Sequence, residues 1–545
     1  MSVDNKYVLA MYDVRGKQNY IFRGRKLKEI VGGSLVIRDV FKDYLYPAAD
    51  SYAKRMNQNY TGEAIFNYKS TKTDAAFTRQ GFENHLKEGF LGEVIYDGGG
   101  NFFILYKDFE TYKSINQIFT KNVLEHTYSL TVLCSHIEGV DFDNYITISP
   151  QHHTDNEDQG DQNRLYTENR KREARINPQM PAQVLPFTQV DYANSLPLYE
   201  YDSTGNTKLT REAARKYKKY EEVVKSGKKT DEFDEKVLDH IAKDKGTDSW
   251  IAILYIDGNN MGAKVQNAFQ DCLKEEEKNC PVAISYEKAV KTLRSFSESI
   301  QKEYVDDRLD AIDKRLQEKY GDNAGTSYKR RIVVYAGDEI NIILNAHDAL
   351  DAVKAYFENM PTTGSACAGI ALFKSHAPYA DAYNIAEQCC ESGKKLMKEH
   401  KMTEANLVDF HYCQGAIGID LEQIRVRENE GIISRPWFVS YDAKTCGDIP
   451  KEDVVTVKMV EKLAENLNTC ARTNIKGLLE CAKNSESKML TELKRMQLRR
   501  KNANTLGEIS CIPLCDGSGQ ISDKRLRDMV FDVVSIYDLW FRKQG

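Results

Sequence analysis

Apolar runs and helical stretches alternate along the first 140 residues of the chain. The run Lys6–Val14 (KYVLAMYDV) precedes a long helical stretch, and Gly92–Asp108 (GEVIYDGGGNFFILYKD) holds two apolar runs around a glycine turn. A glycine turn between two apolar runs is typical of a β-hairpin. A helical run and the apolar run Tyr128–Ile137 follow. The pattern predicts the order strand, helix, hairpin, helix, strand.

The same order returns in the second half of the chain. The apolar run Ser249–Asn260 (SWIAILYIDGNN) is followed by helical material, and Arg330–Asn345 (RRIVVYAGDEINIILN) forms the second hairpin pattern. A helix then leads to the apolar run Ser365–Phe373, to a helix over about 378–400 and to a last strand, NLVDFHY. Strand, helix, hairpin, helix, strand is the split βαβ order of ferredoxin-like domains. An internal repeat of this kind predicts two related domains.

The remaining segments differ in character from these two blocks. Hydrophobicity falls and charge rises between about 140 and 245, and from about 415 onward apolar residues recur at three-to-four spacing. We therefore predict an α+β protein of four segments. They are 1–140, a first and degenerate palm domain; 141–245, a charged helical linker or insertion; 246–413, a second, catalytic palm domain; and 414–545, a helical C-terminal domain.

Composition limits the classes of function. With 41% hydrophobic residues, 29% charged residues and a formal net charge of -5, the chain has no overall basic field for nucleic acid or acidic membranes. The apolar run Tyr7–Tyr12 is too short for a signal peptide or a membrane span. We expect a cytoplasmic protein without a membrane partner. The twelve cysteines are scattered and are expected to be thiols. The pairs Cys511–Cys515 and His152–His153 are weak metal motifs, and ordinary thiols and loop residues are the favoured reading.

Acidic residues lie at the end of the first predicted strand of the second repeat and at the tip of the second hairpin. In a split βαβ sheet these two elements are neighbours at the sheet centre, so Asp257 and Asp338 are expected to face one another. Carboxylates that converge repel one another unless a cation neutralises them, and hard oxygen ligands suit Mg2+ or Mn2+. Glu339 belongs to the same predicted metal site, to which Gly258 would add a carbonyl oxygen. The alternative is that these acids are common turn and cap residues.

Small and polar residues beside the acids are the candidates for nucleotide contacts. Ala336 and Gly337 have small side chains that would let phosphates approach the turn closely. Asn259 and Asn260 would hold ribose or phosphate, or would simply cap a helix.

Several stretches together resemble one family, the large palm-domain polymerase/cyclase subunit of type III CRISPR effectors, which is related to diguanylate cyclases. The resemblance rests on the segments YDVRGKQNYIF, VGGSLVIRDVF, DGGGNFFIL, LYIDGNNMG, VVYAGDEI and SACAGIALFKSHAPYADAYNIAEQCCESGKKLMK. They cover roughly residues 6–137 and 249–412. The resemblance implies two palm domains of the nucleotide cyclase/polymerase kind, nucleoside triphosphate substrates with ATP expected, and a role in antiviral defence.

The chain departs from the family pattern in three places. The hairpin reads Ala336-Gly337-Asp338-Glu339, which is GGDEF-like, where the family usually has Gly-Gly-Asp-Asp. Many members begin with a histidine-aspartate nuclease domain, whereas this sequence starts directly in the first palm, so we do not expect DNA cleavage by that route. The stretch 186–206, which corresponds to a four-cysteine zinc site in many members, contains no cysteine, so we expect no structural zinc there.

The resemblance also extends to contacts outside the second hairpin. The glycine turn with Gly99, Gly100 and Asn101 lacks paired acids, so it would hold a second nucleotide without catalysing, or be only a flexible turn. Ser34 lies in the serine-containing helix of the family. Lys394 and Lys395 match the helix that contacts the triphosphate in the family, although plain solvation is the default reading of a lysine pair on a polar helix face.

These observations predict a metal-dependent nucleotidyltransferase that makes cyclic or short oligonucleotide second messengers and releases pyrophosphate. Asp257, Asp338 and Glu339 would hold two divalent ions and act as the catalytic residues. The alternative is a non-catalytic palm scaffold that binds RNA or partner proteins in a CRISPR-like complex.

Overall fold

The structure is a computed structural model of the chain. It describes residues 4–24, 26–56, 66–67, 77–148, 160–176, 185–192, 194–202, 207–225, 241, 248–273, 281–320, 330–361, 364–375, 377–413, 420–442, 444–498 and 521–542. The His152–His153 and Cys511–Cys515 pairs lie outside these residues, as does part of the 186–206 stretch. None of the described helices has the length and apolar character needed to cross a bilayer.

Strands and helices are mixed throughout, so the protein is of the α+β class. The strands are β1 Asp4–Arg15, β2 Phe66–Asn67, β3 Gly92–Gly98, β4 Asn101–Tyr106, β5 Thr131–Val140, β6 Ile146–Ile148, β7 Leu198–Asp202, β8 Thr207–Thr210, β9 Trp250–Gly258, β10 Val282–Ile284, β11 Arg331–Ala336, β12 Glu339–Asn345, β13 Ala366–Lys374, β14 Asn406–Tyr412 and β15 Trp437–Ser440. The helices are α1 Lys17–Phe22, α2 Leu27–Arg38, α3 Tyr46–Met56, α4 Arg79–Lys87, α5 Phe109–Thr127, α6 Gly160–Glu173, α7 Arg211–Lys225, α8 Met261–Asp271, α9 Tyr286–Ile300, α10 Asp307–Tyr320, α11 Ala349–Glu358, α12 Tyr379–Glu399, α13 Leu421–Asn429, α14 Val457–Leu467, α15 Arg472–Asn484, α16 Glu486–Leu498 and α17 Asp523–Trp540.

The chain divides into two compact units. The first contains Met1–Lys228 and Asn260–Gln301, and the second contains Lys229–Asn259 and Lys302–Gly545. Helix α9 therefore belongs to the first unit, although it follows β9 in the chain. Its residue Arg294 is buried and donates hydrogen bonds to the carbonyl oxygens of Val94 and Ile95 on β3. These bonds and the buried apolar residues of α9 fix the helix against the first sheet.

The main sheet of the first unit has the strand order β2-β3-β4-β1-β5. Strand β1 pairs antiparallel with both β4 and β5, so it is an inner strand of the sheet. Alternate residues of β1 face opposite sides of the sheet. Leu9 and Met11 join a core that includes Tyr286 of α9, whereas the Tyr12 ring packs edge-on against Phe119 of α5. The central strand is thus covered on both faces.

The main sheet of the second unit has the order β11-β12-β9-β13-β14-β15. All neighbouring strands are antiparallel except β13 and β14, which are parallel. Leu254 and Ile256 of β9 lie in a large core with apolar residues of α11, α14, α15 and α17. Full burial of one such side chain stabilises the fold by about 1.5–3 kcal/mol. The C-terminal helices α14, α15 and α17 therefore pack on one face of this sheet.

Both sheets contain the predicted sequence of strand, helix, hairpin, helix and strand. In each, the hairpin strand that follows the turn lies next to the first strand, which the split βαβ order requires. The predicted boundaries at 140, 245 and 413 stay predictions. Within the last predicted segment the structure adds one strand, β15, which pairs antiparallel with β14.

Candidate functional site

Asp257 lies at the end of strand β9, on the face of the second sheet that is opposite the apolar core. Because side chains alternate along a strand, Leu254 and Ile256 point into the core while Tyr255 and Asp257 share the other face. The Tyr255 ring packs edge-on against Tyr383 of α12, with the ring centroids 5.6 Å apart. Helix α12 therefore covers the face on which Asp257 lies.

The turn between β11 and β12 places two further acids beside the end of β9. Gly337 has a φ of 65°, a left-handed conformation that favours glycine, and Asp338 completes the turn. Ile340 is in register with Ile256 of β9, so one residue further along come Glu339 and Asp257. A side chain at Gly337 would meet no described atom within 4 Å. The turn is therefore open to an approaching ligand on that side.

The carboxyl groups of Asp257 and Asp338 lie close together. Burial, and after it the negative charge of Asp257, raises the pKa of Asp338 well above its ordinary value, and Lys394 opposes that rise only in part. Two carboxylates in such a site cannot both ionise without cost. Additional positive charge would favour the fully ionised pair.

Helix α12 supplies the cation nearest to Asp257. The Lys394 ammonium forms an ion pair with the Asp257 carboxylate. Burial alone would lower the pKa of Lys394, but the Asp257 carboxylate outweighs that effect and raises it. Lys395 points elsewhere and forms an exposed ion pair with Glu422 at 3.0 Å. The structure thus separates two lysines that the sequence presents as a pair.

The sequence of α12 explains how closely it approaches the sheet. Gly369 of β13 has no side chain, and a Cβ there would collide with the carbonyl oxygen of Ala386 on α12. At the start of the helix, the Tyr379 hydroxyl donates a 2.9 Å hydrogen bond to Asn341 of β12. Close packing on β13 in the middle of the helix and this bond to β12 at its start hold the helix against the sheet. Lys394 therefore reaches Asp257 from a fixed direction.

Two further acids on α12 also lie near this site. Burial, and then the charges of Glu391 and Asp257, raise the pKa of Glu387, while Lys394 lowers it. Glu391 lies 3.8 Å from the Lys394 ammonium. The sequence analysis missed both residues. Their signal was the helical spacing, because Glu387, Glu391 and Lys394 recur at intervals of four and three on one side of the helix.

The residues after Asp257 have mainly structural contacts. Asn259 is buried, and its side-chain amide donates to the carbonyl oxygen of Ala405 at 3.0 Å. Gly258 is in register with Ala366 of β13. Asn260 precedes α8 with a φ of 56° and makes no side-chain cap hydrogen bond. Asn259 thus ties β9 to the segment before β14, while the predicted nucleotide contacts of all three residues stay predictions.

The first hairpin has the same register but different side chains. Asp13 of β1 is in register with Asn101 of β4, as Asp257 and Glu339 are adjacent in the second sheet. Gly98 pairs with Asn101 around the turn formed by Gly99 and Gly100, whose φ angles are both positive. Gly100 and Asn101 therefore occupy the positions of Asp338 and Glu339. Asp13, which the sequence analysis missed, is the counterpart of Asp257.

Two protein groups contact the Asp13 carboxylate. Its Oδ2 lies 2.9 Å from Arg15 Nε and accepts a 3.1 Å hydrogen bond from Asn169 of α6. Burial raises the pKa of Asp13 in spite of Arg15. Beside it is a cavity of about 620 Å3 that Lys17 and Asn101 also line. Lys17 donates to the carbonyl oxygen of Gly99. A basic, amide-rich cavity therefore adjoins the first hairpin.

Ser34 lies away from that cavity, and Asp97 lies away from the hairpin turn. Ser34 is half-buried in the middle of α2, next to Gly32 and Gly33. A Cβ at Gly32 would collide with the carbonyl oxygen of Lys216, so the glycines permit close packing of α2 on α7. Asp97 is in register with Phe102 and not at the turn, and burial raises its pKa to about 6.

The donor set at Asp257 suits a hard divalent cation only in part. Among the described residues, no three His, Cys, Asp or Glu side chains converge into a complete metal site. Two carboxylates do approach each other, those of Asp257 and Asp338, and Glu339 adjoins them in the register of β12. Carboxylate oxygens are the ligands that Mg2+ and Mn2+ prefer, and Mg2+ usually takes only one or two carboxylates with water and substrate phosphates. The residues present therefore fit a cation that a bound triphosphate would help to hold.

Comparison with known proteins gives matches at the level of structure only. No family model and no curated protein matches the chain. Crystal structures of a Csm1-Csm4 cassette do match. A chain of the apo cassette is 12% identical with a TM-score of 0.46, and a chain of the cassette with pppApApA is 11% identical with a TM-score of 0.48. A chain of the Csm1-Csm4 subcomplex in the type III-A CRISPR-Csm interference complex is 11% identical with a TM-score of 0.43.

Each of these three matches covers 98% of this chain and 70% of the solved chain. The last of these structures is named for a type III CRISPR complex, the group whose large subunit the sequence motifs resemble. At 11–12% identity the similarity concerns the chain trace. The roles of individual residues depend on the contacts described above.

Proposed function

We propose that the protein is a metal-dependent nucleotidyltransferase that joins nucleoside triphosphates into cyclic or short oligonucleotides and releases pyrophosphate. The observation that carries this proposal is the approach of the Asp257 and Asp338 carboxylates beneath α12, with the Lys394 ammonium beside them. Two neighbouring acids at the end of a central strand and at an open hairpin turn match the needs of phosphoryl transfer. There the protein contributes mainly positioning and charge.

The residues of the second unit would divide the work as follows. Asp257, Asp338 and Glu339 would hold Mg2+ or Mn2+, and Gly337 leaves the turn open to the phosphates. A bound divalent cation lowers the pKa of an attacking hydroxyl and offsets the charge of the α-phosphate and the leaving pyrophosphate. Lys394 would donate hydrogen bonds to the triphosphate, a charge-assisted contact for which it is the nearest ammonium group.

The first unit would hold a second nucleotide without catalysing. Asp13 is contacted by Arg15 and Asn169, and the counterpart of Asp338 is Gly100, so the first hairpin lacks the paired acids of the second. The cavity beside it offers Lys17 and Asn101 for phosphate or base contacts. We regard both sheets as palm domains, the first degenerate and the second catalytic.

The proposal includes a role in a CRISPR-type complex in antiviral defence. The solved cassettes to which this chain is similar include complexes with ATP and with cA4. ATP is accordingly the first substrate to test.

The direct experiment is to incubate the purified chain with each nucleoside triphosphate and Mg2+ or Mn2+, and to separate the products by chromatography. We expect pyrophosphate and an oligonucleotide or cyclic product with at least one nucleotide, and none with a chelator present. If every nucleotide and both metals leave the triphosphates intact, the non-catalytic scaffold becomes the better account.

A further inference from the structure

The second unit contains a cavity whose lining includes none of the residues of the Asp257 site. It has a volume of about 380 Å3 and is formed by the end of β14 and by α13, α15 and α17. Its lining includes His411, Glu428, Arg435, Lys483 and Phe531. A volume of this size falls in the range of small-molecule sites. The proposed catalytic function uses none of these residues.

Arg435 is the buried cation of this cavity. Its side chain is only 3% exposed and its guanidinium lies over the Phe410 ring, 4.0 Å from the centroid. The nearest oxygens of Asp409 and Asp532 are 3.4 and 3.5 Å away, which is ion-pair range but too long for a good hydrogen bond. Its Nε has no hydrogen-bond partner in the described part of the chain. A buried charge whose contacts are this long is costly, and because Arg435 lines the cavity, an anion there that reaches its guanidinium would be favoured.

The neighbouring Arg425 also has an Nε without a hydrogen-bond partner among the described residues, but its terminal nitrogens differ from those of Arg435 in their contacts. Arg425 donates two hydrogen bonds to Asp409, at 2.9 and 2.7 Å, and a third to the carbonyl oxygen of Phe410. Asp409 therefore gives its short contacts to Arg425 and leaves Arg435 with longer ones. Burial lowers the pKa of Arg435, which reflects this incomplete compensation.

Further donors converge on the same space. Burial and the two arginines lower the pKa of His411 to about 3, so near neutral pH its imidazole is uncharged and offers one donor and one acceptor. The Lys483 ammonium donates a hydrogen bond to the carbonyl oxygen of Glu428 at 3.3 Å. The Glu428 carboxylate lies 3.7 Å from His411 Nε2 and is the acidic group of the lining.

Aromatic and apolar groups form the rest of the wall. Phe531 is buried, and Tyr412 and Leu479 also border the cavity. The Lys483 ammonium lies 5.8 Å from the Phe531 ring centroid, so the charged and aromatic parts of the lining adjoin. A planar ring stacks favourably on such side chains. The lining therefore suits a molecule with both a ring and an anionic group.

We propose that this cavity binds a small ring-bearing organic phosphate of the size of a nucleoside monophosphate. Its phosphate would accept hydrogen bonds from Arg435 and Lys483, its ring would lie against Phe531, and an N–H on the ring would donate to Glu428. The bound molecule would contact β14, α13, α15 and α17 at the same time. The proposal does not depend on catalysis at Asp257.

The test uses AMP, adenosine and inorganic phosphate as probes of the full chain, with a chelator present to remove divalent cations from the proposed catalytic site. Calorimetry measures affinity, and tryptophan fluorescence reports the location. The chain has three tryptophans, and their rings lie 4.6–5.0 Å from Tyr412 or Phe410. Lys483→Gln removes one phosphate donor. Lys476→Gln is the matched control, because Lys476 is on the same helix but pairs with Asp538.

We expect AMP to bind with a saturable fluorescence change and adenosine to bind at least about tenfold more weakly, as the loss of a charge-assisted hydrogen bond predicts. Lys483→Gln should weaken AMP binding by about tenfold and Lys476→Gln should not change it. Arg435→Gln should abolish binding if circular dichroism shows that it folds; if it does not fold, Lys483→Gln decides. No saturable AMP binding, equal binding of adenosine, or equal affinity in Lys483→Gln and wild type would each overturn the proposal.

Discussion

The two hairpins share a register and differ in how their acids are neutralised. In the first sheet, Asp13 stands beside Asn101, and Arg15 and Asn169 contact its carboxylate. In the second, Asp257 stands beside a turn that carries Asp338, whose pKa is raised by burial and by that neighbour. In the first site an arginine and an amide contact the single acid, whereas the paired acids of the second site would be stabilised by added positive charge.

The difference shows how one backbone arrangement can host two roles. A single acid already contacts a half-exposed arginine, and the adjacent basic cavity is suited to holding an anion. Paired acids with only Lys394 beside them favour a further cation. The first hairpin has Gly100 and Asn101 where the second has Asp338 and Glu339. Under the proposed function, these two differences make the first site a binding site and the second a catalytic one.

The largest expected effect comes from removing the acids of the second turn. Changing Asp338 and Glu339 together to Ala should reduce nucleotide joining by about a thousandfold or more, because the groups that hold the cations are lost. Asn101→Ala, at the position equivalent to Glu339, should retain joining within about tenfold. Product formation by chromatography measures both. Full activity in the double variant would mean that the turn is only structural.

The two lysines of α12 provide a smaller and internally controlled effect. Lys394→Ala should weaken triphosphate binding or joining by about tenfold or more, because a charge-assisted contact is worth about 1.5–3 kcal/mol. Lys395→Ala should have little effect, since Lys395 forms an exposed pair with Glu422. The ratio kcat/KM for ATP compares the variants. Equal losses in both would argue against the separate roles assigned here.

The raised pKa of Asp338 predicts that the stability of the protein depends on pH. Gly100, which occupies the equivalent position in the first hairpin, has no side chain that could contribute in this way. The folded pKa of about 7 exceeds the ordinary value of 3.8, so the folded state binds the proton more tightly. Stability is therefore favoured below pH about 4 and declines as pH rises through about 7. In chelator, Asp338→Asn should remove roughly 1 kcal/mol or more of that decline. Denaturant unfolding at several pH values would test it, and parallel curves for variant and wild type would contradict it.

The smallest expected effect tests the turn of the first hairpin. Gly100 has a φ of 79°, and a side chain there would approach the end of the Lys17 side chain, which can move. Gly100→Asp should therefore cost about 1 kcal/mol of stability through backbone strain. Gly262→Asp is a comparison without positive φ and with open space around it. Thermal unfolding of the two variants should differ, and an equal stability would argue against a strained turn.

The sequence predicted those features that depend on local signals. Alternating apolar residues and glycine turns are local, so β9, the second hairpin and the acids Asp257 and Asp338 could be assigned from them. Asp13 was missed because it pairs with Asn101 across β1 and β4, two strands that lie far apart in the chain. Spacing within one strand does not predict which residue of another strand lies opposite it.

Contacts between distant segments were also beyond the sequence patterns. The packing of α9 against β3 and the ion pairs of Arg435 with Asp409 and Asp532 join residues far apart in the chain. Spacing within one element cannot predict which partner such a residue finds. The distinction between Lys394 and Lys395 required the placement of α12, which depends on Gly369 in another strand.

The most direct test of the central claim is a Mn2+ titration followed by electron paramagnetic resonance, with a non-hydrolysable ATP analogue present. Wild type should bind Mn2+, Asp257→Asn should lose about tenfold or more in affinity, and Asp97→Ala, which changes an acid of the first hairpin away from its turn, should bind as wild type does. Circular dichroism confirms that each variant is folded. Unchanged Mn2+ binding in folded Asp257→Asn, or its loss in folded Asp97→Ala, would contradict the assignment of the metal site to the second hairpin.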